Sequence, residues 1–179
     1  GFAQAFSRLQ PDILLVLGDR FEMHAAVIAA VPFLIPIAHI GGGAVTVGAI
    51  DDSLRHSITK MGHLHFVETE TEANRIVQMG EAPWRVVLTG AASLDNLREM
   101  PLLDVETLSA RLELDLSSPT VLVTYHPVTM EYHDTEAQVE GLLAALTEAD
   151  MNVIFTYPNA DTHGRRIIEM ITAYSERHP

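Results

Sequence analysis

Short apolar runs alternate along the chain with longer segments of helix-forming composition. The first run, ILLVL at 13–17, is apolar without interruption and ends at Gly18. An uninterrupted run of this length is typical of a strand that is buried on both faces of a parallel sheet. The other predicted strands are 35–40, 64–69, 85–90, 120–127 and 152–158.

The segments between these strands predict helices. They are rich in good helix formers such as Ala, Leu and Glu, and several of them end at a glycine or near a proline. Strands that alternate with helices in this way predict an α/β fold of Rossmann-like parallel sheets with helices on both faces. The predicted helices are 22–30, 51–62, 71–80, 93–100, 135–149 and 162–177.

The chain changes character at Pro101, which predicts two domains. Residues 1–100 are expected to belong to the first domain, 101–118 to a linker that includes a short helix, and 119–179 to the second domain. Only two strands follow the linker, which is too few for a well-buried sheet with helices on both faces. The sequence therefore predicts an incomplete portion of a longer protein.

Charge and composition exclude several classes of partner. The formal net charge is −13, so neither nucleic acid nor an anionic membrane surface is an expected partner, whereas a small anionic ligand can still bind at helix N-termini. The longest apolar run is broken by Pro32 and Pro36 and is shorter than a membrane span, and no secretory leader pattern opens the chain. With 47% hydrophobic residues and no cysteine, we expect a globular cytoplasmic protein without disulfides or cysteine-bound metal.

Polar side chains follow the predicted strands at the points where the strands end. In parallel α/β sheets, ligands bind beyond the carboxyl ends of the strands. These side chains are therefore predicted to line a cleft between the two domains. The residues concerned are Asp19, Arg20, His39, His126, Asn159 and Asp161.

The segment HIGGGAVTVGAIDDSLRHSITK, at 39–60, joins a glycine loop to a charged helix. Glycines such as Gly42 and Gly43 allow backbone amides to approach a ligand closely. The loop matches neither a Walker motif nor a dinucleotide fingerprint, and the histidines show no zinc-binding spacing. On a helical wheel Ile50, Leu54, Ile58 and Met61 face the core, Asp51 and Arg55 flank this stripe, and Asp52 and His56 point away from the core.

Each candidate also has a purely structural explanation. An acid such as Asp51 is a common N-cap, and taken alone that is its more frequent use. Asp19 next to Arg20 can form a surface ion pair of little energetic value, and Asn159 can form a turn after Pro158. Two adjacent acids that follow a glycine loop shift the balance toward a functional site.

Taken in order, five segments resemble the hydrolysing UDP-N-acetylglucosamine 2-epimerases, which open the biosynthesis of sialic and related nonulosonic acids. The segments are PDILLVLGDRFEMHAAVIAA, HIGGG with GAIDDSLRHSITKMGHLHF, GAASLDNL, LVTYHPVT and FTYPNAD. The resemblance implies a GT-B-like arrangement in which two Rossmann-like domains hold the sugar nucleotide between them. Residues 1–100 would be the C-terminal part of the first domain, and 119–179 the N-terminal part of the second.

The resemblance also implies a reaction. Members of the family convert UDP-N-acetylglucosamine, or a 2,4-diacetamido relative, to an N-acetylmannosamine-type sugar and UDP. The C2 proton is lost as UDP departs, and the resulting glycal is hydrated on its other face. Such a route needs a base for the C–H bond and an acid or cation for the leaving phosphate, and it implies no metal or redox cofactor.

The resemblance assigns roles by position. Asp19 and Asp51 match family carboxylates, with Asp52 beside them, and His126 matches a position near the diphosphate. These four residues are the catalytic candidates. The candidates for substrate binding are Arg20, His39, Gly42, Gly43, Arg55, Asn159 and Asp161, and no metal ligand is expected.

Two positions depart from the family pattern. Gly41 stands where an acid or a histidine is common, and Ala44 replaces the acid of the usual GGE. These two departures imply weak activity. The chain alone contains only part of the pocket, so it is expected to turn over substrate poorly or not at all. A GT-B glycosyltransferase and a non-catalytic UDP-sugar-binding module remain as alternatives. The apolar segment 23–34 suits a homo-oligomer.

Overall fold

Four parallel strands form the sheet of the first half of the chain. The computed structural model describes residues 1–149, 151–159 and 163–178. The strands are hydrogen-bonded in the order β1-β2-β3-β4, which is also their order in the sequence. Their bounds are Leu14–Leu17, Ile37–Ile40, Leu64–Val67 and Val86–Leu88.

Helices flank this sheet, so the predicted fold class is confirmed. The helices of this half are α1 (Phe2–Leu9), α2 (Phe21–Ala30), α3 (Asp51–Met61), α4 (Glu70–Gln78) and α5 (Ser93–Glu99). Thr69 starts α4 with a capping box, because its hydroxyl accepts from the Glu72 amide while the Glu72 carboxylate accepts from the Thr69 amide. Single turns of 3-10 helix lie at Val31–Phe33 and Pro83–Arg85.

The core of this half lies between β1, β2 and the helices α1, α2 and α3. Its fully buried members are Val27, Ala30, Ile37 and Ile58. The prediction that the first strand is buried on both faces is wrong, since Leu15 is 60% exposed. The strand forms one edge of the sheet, and none of the described residues buries that face of it.

The second half forms a separate unit. The chain divides into two compact units, Gly1–Met100 and Pro101–Pro179. The second unit contains α6 (Val105–Leu112), which falls inside the predicted linker, and the parallel strand pair β5 (Thr120–Val123) and β6 (Asn152–Phe155). A turn of 3-10 helix at Tyr132–Asp134 precedes α7 (Thr135–Glu148), and α8 (Gly164–Arg177) follows β6. Its core contains Val139, Leu143, Ile167, Ile171 and Tyr174.

None of the helices in the described ranges is both long enough and apolar enough to cross a lipid bilayer.

Two neighbouring histidines are fully buried in the first sheet. His39 on β2 is paired in register with His65 on β3, and neither side chain is exposed. Burial lowers the pKa of His39 to about 4, against the opposing effect of its hydrogen bond to the Gly18 carbonyl. Burial also lowers the pKa of His65, although the nearby Glu81 carboxylate acts in the opposite direction. Both rings are therefore neutral near pH 7.

These histidines should make the fold sensitive to acid. Their pKa values are lower in the folded chain than in the unfolded chain, so the unfolded chain binds more protons below pH 6.5. The stabilisation is complete above that pH and is lost as the pH falls toward 4. For His39 the full loss amounts to about 3 kcal/mol. Urea unfolding at pH 7, 5.5 and 4.5 measures this, and a free energy of unfolding that stays constant would contradict it.

Candidate functional site

Strands β1 and β2 end beside each other, and the chain turns sharply after both. Gly18 and Gly41 have φ angles of +78° and +79°, which glycine adopts without strain. The Gly18 amide donates to the Ile40 carbonyl at 2.9 Å, so the two ends are held together. Asp19 and the glycine loop therefore begin at the same edge of the sheet, where parallel sheets bind ligands.

The buried guanidinium of Arg55, on α3, links the groups that lie at these carboxyl ends of β1 and β2. Its Nη2 donates to Asp19 Oδ2 and, at 3.0 Å, to the Thr46 hydroxyl. Its Nη1 donates at 3.0 Å to both Asp52 Oδ1 and the Ala44 carbonyl. The side chain of Arg55 is only 7% exposed, against 19% for Asp19 and 33% for Asp52. A buried charge is stable only when it is paired and hydrogen-bonded in this manner.

The predicted orientation of Asp52 is therefore wrong. Its carboxylate accepts from Arg55 and also, at 2.7 Å, from the amide of Thr46. Arg55, which was predicted on the flank of the apolar stripe, is buried. The physical reason is the loop before α3, which folds back over the first turn of the helix and turns that side into an interior. A helical wheel contains no information about a covering loop.

Asp51 lies outside this network. It is the first residue of α3 and is half-buried, and Ile50 rather than Asp51 occupies the N-cap position. Among the described residues, none forms an ion pair with Asp51. The pair of carboxylates that the structure brings together is Asp19 with Asp52, through Arg55.

The two glycines predicted to cradle a ligand are packed inward. An added Cβ at Gly42 would lie 2.9 Å from both His39 Nδ1 and Thr59 Oγ1. An added Cβ at Gly43, where φ is +82°, would lie 2.6 Å from the Glu72 carbonyl oxygen. Both residues are buried, so close packing against α3 and α4 explains these glycines without a ligand.

The other two candidates of the first unit also contact protein groups. Arg20 Nε donates to Glu22 at 3.4 Å, and its guanidinium lies over the Phe21 ring. The sequence suggested a surface ion pair between Asp19 and Arg20. In the structure the ion-pair partner of Asp19 is Arg55. His39 is fully buried and contacts the Gly18 carbonyl, so its ring does not line an open surface in this structure.

In the second unit, two candidates meet where the strands end. The backbone amide of Asn159, which follows β6, donates to His126 Nδ1 at 3.1 Å. His126 follows β5 and is exposed. An added Cβ at Gly164 would lie 2.6 Å from the Asn159 carbonyl oxygen, so α8 begins in close contact with this loop. The remaining candidate, Asp161, lies outside the described residues.

Sequence reasoning missed two threonines of the site. Thr59 follows Arg55 by one helical turn, and a spacing of four residues on a predicted helix is a usable signal for a shared face. Thr46 lies in an apolar loop whose path only the structure shows, so no sequence signal identifies it. Within the described ranges, no three His, Cys, Asp or Glu side chains are placed to hold a metal ion.

Known proteins match this chain over almost its whole length. A family model described as UDP-N-acetylglucosamine 2-epimerase matches residues 1–178. A Campylobacter jejuni protein named GDP/UDP-N,N'-diacetylbacillosamine 2-epimerase (hydrolyzing) is 39% identical over 178 residues, which are 99% of this chain and 46% of that protein. A Legionella pneumophila protein named UDP-N,N'-diacetylbacillosamine 2-epimerase (hydrolyzing) is 36% identical over 179 residues, with 100% and 47% covered.

Solved structures show the same fold. The Methanocaldococcus jannaschii UDP-GlcNAc 2-epimerase, in complex with UDP-GlcNAc and UDP, superposes with a TM-score of 0.74 at 16% identity. That comparison covers 97% of this chain and 49% of the other. The chain thus spans about half the length of the relatives that it matches.

Proposed function

The chain belongs to the UDP-N-acetylglucosamine 2-epimerase family, and from this premise we propose that it carries catalytic residues of a hydrolysing 2-epimerase of UDP-linked N-acetylamino sugars. The observation that supports the proposal most strongly is the buried network in which Arg55 joins Asp19 to Asp52. Such a network fixes carboxylates at the sheet edge where parallel α/β sheets bind ligands.

The first candidate substrate is a UDP-linked 2,4-diacetamido sugar. Two relatives, 39% and 36% identical, are named for N,N'-diacetylbacillosamine. UDP-N-acetylglucosamine is the second candidate, because the two sugars differ in small groups that modest changes of a pocket can accommodate. The sugar product would then enter the synthesis of sialic-acid-type sugars, and we place the protein in the cytoplasm.

In the proposed reaction a carboxylate takes the proton from C2 while the C1–O bond to UDP breaks. The products of this step are UDP and a C1–C2 unsaturated sugar. Water then adds its oxygen to C1, and a proton returns to C2 on the opposite face. The net change is hydrolysis with inversion at C2. We assign Asp19, Asp51 and Asp52 to the proton steps, with Arg55 holding two of them in place.

The second unit would supply groups for the nucleotide. His126 and Asn159 already meet at the ends of β5 and β6, and a histidine can donate to a leaving phosphate. Asp161 completes this set, and Arg20 of the first unit is a further proposed contact of the substrate. The proposal also includes a homo-oligomer, supported by exposed apolar side chains on and after α2, namely Phe21, Ile28 and Leu34.

The test uses a grafted protein, the Campylobacter jejuni relative with its matching segment replaced by residues 1–179. Incubated with either UDP-sugar and no acceptor, it should release UDP together with a sugar inverted at C2, as measured by a coupled UDP assay and proton NMR. Asp19→Asn should lower the rate by about 10²–10⁴-fold, the usual contribution of a positioned acid or base.

Two other outcomes would replace the proposal. A glycosyltransferase would need an acceptor and would leave C2 uninverted. A UDP-sugar-binding module, which Gly41 and Ala44 favour, would bind the nucleotide sugar without any product.

A further inference from the structure

The imidazole of His39 connects the end of β1 to helix α3. Its Nε2 lies 2.9 Å from the Gly18 carbonyl oxygen, and its Nδ1 lies 3.2 Å from the Thr59 hydroxyl. A carbonyl oxygen can only accept, so the Nε2 atom carries the proton. In the neutral ring Nδ1 is then an acceptor, and the Thr59 hydroxyl donates to it.

The surroundings of His39 hold the ring in this state. The side chains of His39 and Thr59 are both fully buried, and Gly42 lies so close that a Cβ there would contact both. Burial has the largest effect on the pKa of the ring and lowers it to about 4. Among the titratable groups nearby, His65 and Arg55 lower the pKa further, whereas Asp19 raises it.

With the contact to His39, both backbone polar groups of Gly18 are hydrogen-bonded. The Gly18 amide donates to the Ile40 carbonyl at 2.9 Å, while its carbonyl accepts from His39. The residue that follows this fixed carbonyl is Asp19, whose carboxylate accepts from Arg55. The direction in which the chain leaves β1 therefore determines where the carboxylate lies.

Helix α3 holds this turn at two points from one face. Arg55 and Thr59 are four residues apart and lie one above the other on the helix. Arg55 binds the side chain of Asp19, and Thr59 binds the ring that holds the backbone just before it.

We propose that His39, whose Nε2 proton is held by the Gly18 carbonyl, is a positioning residue that sets the direction in which Asp19 leaves β1, and that Thr59 holds the ring in place by donating to Nδ1. The inference rests on the proposed function for one point only, which is the role of the Asp19 carboxylate in the reaction. It deepens that proposal by assigning His39 a role through Gly18 and Asp19, in place of contact with the substrate.

The test is NMR on the chain itself, labelled with ¹⁵N and ¹³C. The ring nitrogens of His39 should report a proton on Nε2 alone at pH 7. The Asp19 carboxyl carbon and the guanidinium protons of Arg55 report the ion pair directly. In His39→Phe the guanidinium protons of Arg55 should exchange with solvent and lose their signals, and the Asp19 carboxyl signal should shift. His39→Gln keeps an N–H donor and should retain both signals.

Thr59 provides the second pair of variants. Thr59→Val keeps the shape and removes the donor to Nδ1, so the ring should lose its second hydrogen bond and the Asp19 signal should shift, while the proton stays on Nε2. Thr59→Ser should restore the wild-type signals. The matched control is His63→Gln, because His63 accepts from the Ile37 amide at 3.2 Å at the opposite end of β2. It should leave the Asp19 and Arg55 signals in place.

The outcomes separate the two proposals. Unchanged Asp19 and Arg55 signals in a folded His39→Phe chain would overturn the positioning role. If that variant does not fold, unchanged signals in Thr59→Val overturn it instead. Absence of UDP release from the grafted protein, with the wild-type NMR signals in place, would count against the proposed function alone.

Discussion

An Ala44→Glu variant of the grafted protein is expected to release UDP about 10²–10⁴-fold faster than the same protein with Ala44, which is the typical contribution of one positioned acid or base. The Ala44 carbonyl accepts from Arg55 at 3.0 Å, so a side chain at this position starts beside the network of Asp19 and Asp52. Arg55 would offset part of the added negative charge.

The structure distinguishes this position from Gly41, the other departure from the family pattern. Gly41 has a φ of +79°, which strains any residue with a Cβ, whereas Ala44 already carries one. A carboxylate can therefore be restored at 44 without forcing the backbone.

The coupled UDP assay measures the Ala44→Glu effect, and Ala44→Gln is the control because it has nearly the same shape and no charge. Equal rates for the Gln and Glu variants would show that charge at this position plays no part. A rate that does not rise above that of the Ala44 protein would contradict the prediction.

Replacement of Arg55 by methionine is expected to lower the free energy of unfolding by about 3–5 kcal/mol, the usual cost of removing one partner from a buried ion pair. The variant leaves Asp19 and Asp52 without their shared cation, and it also frees the loop that Arg55 holds through Thr46 and Ala44. Arg55→Lys should retain little of this stability, because an ammonium cannot reproduce the forked geometry of the guanidinium.

Urea unfolding measures the stability of the chain carrying Arg55→Met. Arg166 offers a matched control, since it also bridges two carboxylates, those of Glu136 and Glu169, but its side chain is 46% exposed. Arg166→Met should cost far less, because solvent screens an exposed ion pair. Equal losses for the two arginines would mean that burial adds nothing to the Arg55 network.

The pattern of apolar runs was sufficient to predict the strands and the helices between them. The strand predicted at 13–17 is β1 (Leu14–Leu17), and the helix predicted at 51–62 is α3 (Asp51–Met61). These elements follow from local periodicity and from the residues that end them. The burial of β1 could not be predicted in the same way, because it depends on what covers each face of the sheet.

Within the site, the sequence predicted where Asp19 lies but not what holds it. A polar residue after a buried strand is recognisable from the strand alone. The interior position of Arg55 depends on the loop that folds over α3, and the link from Thr59 through His39 to Gly18 depends on three elements meeting. The contacts of His39 with Gly18 and Thr59 join residues 21 and 20 positions apart, and no local pattern encodes them.

We propose that Asp19, held by Arg55, handles the proton at C2 of a UDP-linked sugar. The most direct test is to run the grafted protein in D₂O and to examine C2 of the product by NMR and mass spectrometry. We expect one deuterium at C2 in each product molecule, formed at least about 10²-fold more slowly by Asp19→Asn. A product that keeps its original hydrogen at C2, or an Asp19→Asn variant that exchanges it at the wild-type rate, would rule out this role of Asp19.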